Sequence, residues 1–126
     1  MTTVLVVEDE MNVRKLVAVN LTSRGYNVLE AGDVREALTR LRTATPDLMI
    51  LDIKLPDFTG WELLARLPAE TVAPTRFPVL VMTASVMDAQ VDLEQYPVVV
   101  DVLVKPFSAA KLVAAVERAL RTQTQH

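Results

Sequence analysis

The sequence contains no cysteine, and its one histidine is the last residue, His126. Disulfides, thiolate metal sites and cysteine nucleophiles are therefore excluded. No apolar run approaches the roughly 20 residues that a membrane-spanning helix needs. The first residues, MTTVLVVEDE, reach an acid after four apolar residues in a row, which is too short for the apolar region of a signal peptide. These absences predict a cytoplasmic protein with no membrane association.

Basic charge is also scarce. Lysine and arginine number 13 against 16 acidic residues, for a net charge of −3, which argues against binding nucleic acid or a membrane surface through bulk charge. Hydrophobic residues make up 51% of the 126 positions, enough for one packed core. The expected organisation is one domain over residues 1–122 and a polar tail at 123–126.

Five short apolar runs alternate with longer amphipathic stretches. The runs are continuous and rich in Val, Leu and Ile, which is typical of parallel strands covered on both faces. They occupy residues 4–7, 28–29 with their neighbours, 48–51, 79–82 and 98–104, and the last of them is interrupted by Asp101. Alternating β and α units favour right-handed crossovers. The pattern therefore predicts an α/β, doubly wound (βα)5 three-layer sandwich with a parallel five-stranded sheet.

The helical stretches carry apolar stripes and end signals. Asp33, followed three residues later by Glu36, predicts a capped start for the second helix, and Ser108 is a predicted N-cap for the last. Gly25 is expected where the first helix stops. The buried stripe of that first helix is predicted from the spacing of Val13, Leu16, Val17 and Leu21.

Two segments are less clearly patterned. Residues 68–77 include Pro68 and Pro74, with Pro78 at the margin, and are predicted to form a long loop. Residues 85–95 are predicted to form a weakly patterned helix, which Pro97 closes.

Side chains capable of chemistry follow four of the five runs. Parallel strands end at one edge of the sheet, where ligands bind at the point at which the strand order reverses. Taken singly, such residues are usually turn, cap or solvated residues, but a set at one edge predicts a functional site. The set is Glu8 and Asp9 after the first run, Asp52 after the third, Thr83 after the fourth and Lys105 after the fifth.

Three carboxylates at one edge repel one another and require cations. Lys105 supplies one positive charge, and a divalent ion would supply the rest. Oxygen-only ligands match Mg²⁺, which keeps waters and shares its shell with phosphate oxygens. Together with a hydroxyl, this set fits phosphoryl transfer, in which a carboxylate can itself be the nucleophile. Asp52, which ends the central run, is the predicted nucleophile, and Glu8 with Asp9 are the predicted metal pair.

At these residues the chain resembles the receiver domain of two-component response regulators, over essentially its whole length. The matching pieces are VLVVEDE, LMILDIKLPDFTGWELL, VLVMTAS and VLVKPF, in the family's order and at similar separations. The resemblance implies a flavodoxin-like fold with strand order 2-1-3-4-5.

The resemblance also implies roles at the metal and the nucleophile. Asp52 would be the phosphoacceptor, and Asp9 would bind Mg²⁺ directly. Glu8 would act mostly through water, and the backbone carbonyl of Lys54 would complete the protein's share of the metal shell.

Further roles follow from the same resemblance. Thr83 would hydrogen-bond the phosphoryl group, Ala84 would leave space beside it, and Lys105 would pair with a phosphoryl oxygen. Pro56 and Gly60 would shape the loop after Asp52.

Receivers take the phosphoryl group from a phosphohistidine on a sensor histidine kinase or histidine phosphotransfer protein and lose it by hydrolysis. The resemblance therefore implies a signalling switch with Mg²⁺-dependent self-phosphorylation and slow autodephosphorylation, in place of a metabolic enzyme. Its reader would be an output protein or a fused effector domain. The domain itself would bind no nucleic acid and would be a monomer or a weak, phosphorylation-dependent dimer.

Two features near the last strand are specific expectations. Receivers typically have a cis peptide bond after the lysine, so the Lys105–Pro106 bond is predicted to be cis. Receivers also commonly carry Tyr or Phe three residues before the lysine, where this chain has Val102. This departure leaves open a receiver-like module that signals by protein contact without phosphorylation.

Two other classes use related chemistry or a related sheet. Phosphatases with an aspartyl nucleophile have a second acid two residues later, where this chain has Lys54. An FMN-binding flavodoxin would need a Ser-, Thr- or Gly-rich phosphate cradle after the first strand. The chain has Glu8, Asp9 and Glu10 there, which repel phosphate unless a metal intervenes.

Overall fold

The apolar runs of the sequence form five strands separated by helices. The computed structural model describes residues 1–70, 77–85, 87 and 95–124. The strands are β1 (Thr3–Val7), β2 (Asn27–Ala31), β3 (Leu48–Asp52), β4 (Val79–Thr83) and β5 (Val99–Val104). The helices of the described part are α1 (Met11–Thr22), α2 (Val34–Thr43), α3 (Gly60–Glu70) and α4 (Ala109–Thr124). Most of the helix predicted over 85–95 lies outside the described residues.

All strand pairs are parallel, and the order is β2-β1-β3-β4-β5. The predicted doubly wound α/β fold is thereby confirmed. Val7 pairs with Ala31 on one side and Leu51 on the other, and Thr83 pairs with Val104. The carboxyl ends of the strands therefore meet at one edge, and the strand order reverses between β1 and β3, where α/β sheets bind ligands.

Hydrophobic clusters cover both faces of the sheet. Every residue of β3 and β4 is buried, which explains why these runs are continuously apolar. Alternate strand residues point to opposite faces, so Leu5 and Val7 pack with α2 and α3, while Val4 and Val6 pack with α1 and α4. The central strands are thus packed on both faces along their whole length.

Side chains cap two helices as predicted. Asp33 Oδ1 accepts a hydrogen bond from the Glu36 amide at 2.7 Å, and Glu36 Oε1 accepts one from the Gly32 amide at 2.8 Å. Ser108 Oγ accepts a hydrogen bond from the Lys111 amide at 3.1 Å at the start of α4. These acceptors satisfy amides that have no partner inside the helix.

Gly25 reverses the chain after α1. Its φ is +92°, a left-handed conformation that favours glycine. The Tyr26 amide donates to the Leu21 carbonyl at 3.2 Å, and the Gly25 amide donates to the Thr22 carbonyl at 3.0 Å. This is the pattern of a Schellman motif, and the prediction that Gly25 stops the helix is confirmed.

The predicted buried stripe of α1 is wrong at Leu16, and Val13 is only partly buried. Leu16 is 49% exposed, and the buried residues are Val17, Ala18 and Leu21. Successive helix residues are rotated by about 100°. A face centred on residues 17, 18 and 21 therefore leaves Leu16 on the solvent side.

The predicted start of a loop at Pro68 is wrong, because residues 68–70 belong to α3. Helix α3 continues through Pro68 to Glu70, although a proline inside a helix removes one backbone hydrogen bond. Leu63, Leu64 and Leu67 are buried against the sheet just before it, and this packing holds the helix in place. Residues 71–76 of the predicted loop lie outside the described residues.

Among the helices of the described part, none combines the length and the apolarity needed to cross a lipid bilayer.

Candidate functional site

The polar residues selected from the sequence lie together at the carboxyl edge of the sheet. Asp52 ends β3, Thr83 ends β4, and Lys105 directly follows β5. These three residues line a cavity of about 240 Å³ together with Asp9, Glu10, Lys54, Ala84 and Ser85. Parallel pairing of neighbouring strands is what gathers residues so distant in sequence at one place.

Three carboxylates converge at this edge. One oxygen each from Glu8, Asp9 and Asp52 lies within 4.8 Å of the others. Glu8 is fully buried, Asp52 is nearly so, and Asp9 is exposed. An all-oxygen set of this kind suits a hard divalent cation such as Mg²⁺, which keeps part of its water shell. The residues present therefore fit the predicted ion.

Lys105 forms ion pairs with two of these acids. Its Nζ donates to Asp52 Oδ2 at 2.9 Å and also to Glu8 Oε1, and its side chain is only 18% exposed. Burial alone lowers the pKa of Lys105, but the hydrogen bonds and charges of Glu8 and Asp52 outweigh it and raise the pKa above its ordinary value. Lys105 is consequently a cation at neutral pH.

Glu8 is the acid whose protonation the site changes most. Burial raises its pKa from 4.5 to about 7, against the hydrogen bond from Lys105, and Asp52 adds to the rise. The Glu10 amide also donates to Glu8 Oε2 at 3.1 Å. Near neutral pH this carboxyl group is therefore only partly ionised.

We expect the metal-free chain to become less stable as the pH rises from about 5 to 8. Between pH 4.5 and about 7 the folded state binds the Glu8 proton more tightly than the unfolded state does. The resulting stabilisation is fully present below pH 4.5 and is lost as the pH rises through about 7. The part lost between pH 5 and pH 8 amounts to about 2–3 kcal/mol. Urea unfolding at pH 5 and pH 8 measures the difference.

The control for this prediction is Glu8→Gln, which removes the titrating group and should make the free energy of unfolding nearly independent of pH between 5 and 8. The neighbouring acid Glu30 does not contribute to this change. Burial raises its pKa, but hydrogen bonds from Lys15 and Arg14 lower the pKa by more, so Glu30 titrates below this pH range. A glutamine variant with an unchanged slope would contradict the assignment to Glu8.

The end of β4 is held by hydrogen bonds. Thr83 Oγ1 donates to the Ser85 carbonyl at 2.9 Å and accepts from the Ser85 amide at 3.0 Å. The Lys105 amide donates to the Thr83 carbonyl at 2.8 Å, which extends the β4–β5 pairing by one residue. The Lys105–Pro106 peptide bond is cis, as predicted.

The loop between β3 and α3 passes close to Asp52. The Lys54 amide donates to Asp52 Oδ1 at 3.1 Å, and the Gly60 amide donates to the Ile53 carbonyl at 2.7 Å. A Cβ atom on Gly60 would lie 2.6 Å from the Asp52 carbonyl oxygen, closer than van der Waals contact allows. The close approach of α3 to β3 therefore requires glycine at this position.

Two residues at the site were not selected from the sequence. Arg14 Nη1 donates to the Glu8 carbonyl at 2.8 Å, and its Nε donates to Glu30 Oε1 at 3.1 Å. Asp57 accepts hydrogen bonds from amides of α2, up to 23 residues away. Because these partners are brought together only by folding, no local sequence pattern marks either residue.

Fold and site together are those of a phosphoacceptor domain. A parallel 2-1-3-4-5 sheet presents an acid cluster, a lysine and a threonine at its carboxyl edge. The family model described as the response regulator receiver domain matches residues 4–117. The chain therefore belongs to the response regulator receiver family.

Individual relatives agree with this assignment. The chain is 36% identical over 124 residues to the alkaline phosphatase synthesis transcriptional regulatory protein PhoP of Bacillus subtilis, covering 94% of this chain and 48% of that protein. It is 33% identical over 125 residues to the phosphate regulon transcriptional regulatory protein PhoB of Pseudomonas aeruginosa, covering 94% and 52%. The chain thus spans about half the length of the curated relatives it matches.

Among solved structures, the Vibrio cholerae chemotaxis protein CheY4 superposes with a TM-score of 0.80 at 31% identity, covering 94% of this chain and 98% of that chain. The similarity thus extends to a structure of nearly the same length.

Proposed function

We propose that Asp52 accepts a phosphoryl group from a phosphohistidine of a sensor histidine kinase or histidine phosphotransfer protein, with Mg²⁺ bound. The observation that carries this proposal is the geometry around Asp52. One of its oxygens is 2.9 Å from Lys105 Nζ, and oxygens of Glu8 and Asp9 lie within 4.8 Å.

The transfer assigns a task to each residue. An Asp52 carboxylate oxygen forms a bond to phosphorus as the bond from phosphorus to the donor's histidine nitrogen breaks. The Lys54 amide and the Lys105 ammonium, each hydrogen-bonded to a different Asp52 oxygen, orient the carboxylate. Lys105 then offsets the negative charge of the transferred group, as cations do in phosphoryl transfer generally.

Mg²⁺, when bound, would neutralise charge on the phosphoryl oxygens. The residues that would hold it are Asp9, Asp52 and the Lys54 carbonyl, with Glu8 acting mostly through water. The buried Glu8 also presents its second oxygen to the Glu10 amide, which limits how it can turn toward an ion.

The change of state would begin at Thr83. A phosphorylated side chain carries about −1.5 to −2 charges and strong acceptor oxygens. Such an acceptor competes with the Ser85 carbonyl for the Thr83 hydroxyl, which donates to that carbonyl at 2.9 Å. Release of Ser85 would alter the chain after β4 and so the surface offered to partners.

The reader of that state would be an output protein or a fused effector domain, in the cytoplasm. Support comes from relatives named as transcriptional regulatory proteins, of which this chain matches about half. Contact with nucleic acid would then be made by the effector.

The test is incubation with acetyl phosphate and Mg²⁺, followed by intact-mass measurement. We expect the gain of one phosphoryl group, which EDTA prevents and hydroxylamine removes, because hydroxylamine cleaves acyl phosphates. Peptide mapping should locate the group on Asp52. A folded chain that binds Mg²⁺ and takes no phosphoryl group from acetyl phosphate or a phosphohistidine donor would overturn the proposal in favour of signalling by contact alone.

A further inference from the structure

Asp57 joins the loop between β3 and α3 to the start of α2. Its Oδ1 accepts hydrogen bonds from the Val34 amide at 3.1 Å and the Phe58 amide at 2.9 Å. Its Oδ2 accepts one from the Arg35 amide at 3.1 Å. Val34 and Arg35 open α2, where amides have no partner within the helix. One carboxylate thus binds backbone donors of two separate elements.

Other residues of the same loop form hydrogen bonds with Asp52 and its neighbour Ile53. Lys54 donates its amide to Asp52 Oδ1, and Gly60 donates its amide to the Ile53 carbonyl. Lys54 and Thr59 form an isolated antiparallel bridge across the loop. The loop is therefore closed on itself, and Asp57 is the residue that attaches its tip to α2.

We propose that Asp57 is a positioning residue for the divalent ion, because it keeps the loop, and with it the Lys54 carbonyl, in place. This inference rests on the proposed function, which assigns that carbonyl to the metal shell. Mg²⁺ demands near-ideal octahedral geometry, so a small displacement of a backbone ligand weakens binding. Only two residues separate Lys54 from Asp57, which leaves little slack between them.

Asp33 provides a matched control. It also caps α2, since its Oδ1 accepts a hydrogen bond from the Glu36 amide. Asp33→Ala and Asp57→Ala each remove a carboxylate from the start of the same helix. Asp33 accepts its hydrogen bond from the helix that it directly precedes, whereas Asp57 connects α2 to the metal-site loop. A purely structural role for Asp57 would make the two variants behave alike.

The experiment compares the wild type, Asp57→Ala and Asp33→Ala in two titrations with Mg²⁺. NMR shifts of backbone amides give the dissociation constant, and the rate of phosphorylation by acetyl phosphate gives the half-saturating concentration. We expect Asp57→Ala to raise the dissociation constant and the half-saturating Mg²⁺ concentration by at least about threefold. The increase should stay below the roughly 10- to 100-fold that is typical when a residue bonded directly to a metal ligand is lost. The phosphorylation rate of Asp57→Ala at saturating Mg²⁺ should match that of the wild type. Asp33→Ala should leave the dissociation constant and the half-saturating Mg²⁺ concentration unchanged.

Equal Mg²⁺ affinities in Asp57→Ala and Asp33→Ala would overturn the inference, as would a lower rate at saturating Mg²⁺ with unchanged affinity. If Asp57→Ala does not fold, Asp57→Asn takes its place, since asparagine retains one accepting oxygen, and the expected increase is smaller. A wild-type chain that binds no Mg²⁺ would defeat the proposed function as well, whereas normal wild-type binding with an unaffected Asp57 variant would defeat this inference alone.

Discussion

Replacing Asp52 with asparagine should abolish Mg²⁺-dependent phosphorylation by acetyl phosphate. The amide lacks the anionic oxygen that forms the bond to phosphorus, so the rate should fall at least about a thousandfold, as expected when a nucleophile is removed. Asparagine is nearly the same size as aspartate, and it removes one of the negative charges that converge with Glu8 and Asp9. The variant should therefore fold, and loss of labelling will report on chemistry.

Asp47→Asn is the control for that experiment. Asp47 lies just before β3, at the opposite end of the strand that Asp52 ends, and its Oδ2 accepts a hydrogen bond from the Thr3 amide. The same chemical change at this end of the strand should leave labelling intact. Continued labelling of the Asp52→Asn chain on another acid would refute the assignment of Asp52.

Replacing Lys105 with methionine should destabilise the fold by about 3–5 kcal/mol at pH 8, the usual cost of removing one partner of a buried ion pair. The ammonium contacts both Glu8 and Asp52, and these acids are almost completely buried. Without it, two like charges face each other with little solvent. Urea unfolding of the metal-free protein measures the loss.

The pH dependence and a matched variant test the cause. Lowering the pH to 5 protonates Glu8, whose pKa burial has already raised, so the deficit of Lys105→Met should shrink. Lys15→Met removes a lysine whose side chain is 57% exposed and pairs with Glu30, and such surface pairs contribute about 0–1 kcal/mol. Equal losses of unfolding free energy in Lys105→Met and Lys15→Met would contradict the prediction, because the buried ion pairs of Lys105 would then stabilise the fold no more than a surface pair.

The route by which a change at Asp52 would reach the surface involves the position of Val102. Val102 stands where receivers commonly have an aromatic residue, and like Trp61 and Tyr96 it is partly buried against the hydrophobic cluster that contains Val79 and Val81. Those two rings stack with centroids 5.5 Å apart. A valine has no ring that could change position on phosphorylation, so the proposed route through Thr83 and Ser85 would have to act without an aromatic side chain at this position.

Local patterns in the sequence were sufficient to predict a parallel sheet and the residues that meet at its edge, whereas the strand order was implied by the resemblance to receivers. Continuous apolar runs between amphipathic stretches indicate buried parallel strands. Once the strands are parallel, their carboxyl ends share an edge, so the positions of Glu8, Asp9, Asp52, Thr83 and Lys105 follow from chain order alone. The caps at Asp33 and Ser108 and the turn at Gly25 were equally predictable, because each depends on residues close in sequence.

Packing between distant segments settled the rest. Lys105 meets Glu8 and Asp52 across 97 and 53 residues, and the depth of burial that raises the pKa of Glu8 arises from the whole sheet edge. The attachment of Asp57 to α2, the exposure of Leu16 and the continuation of α3 past Pro68 likewise depend on which faces pack together. Side-chain distances and solvent exposure depend on contacts between elements, whereas a local sequence pattern indicates only whether a segment forms a helix, a strand or a turn.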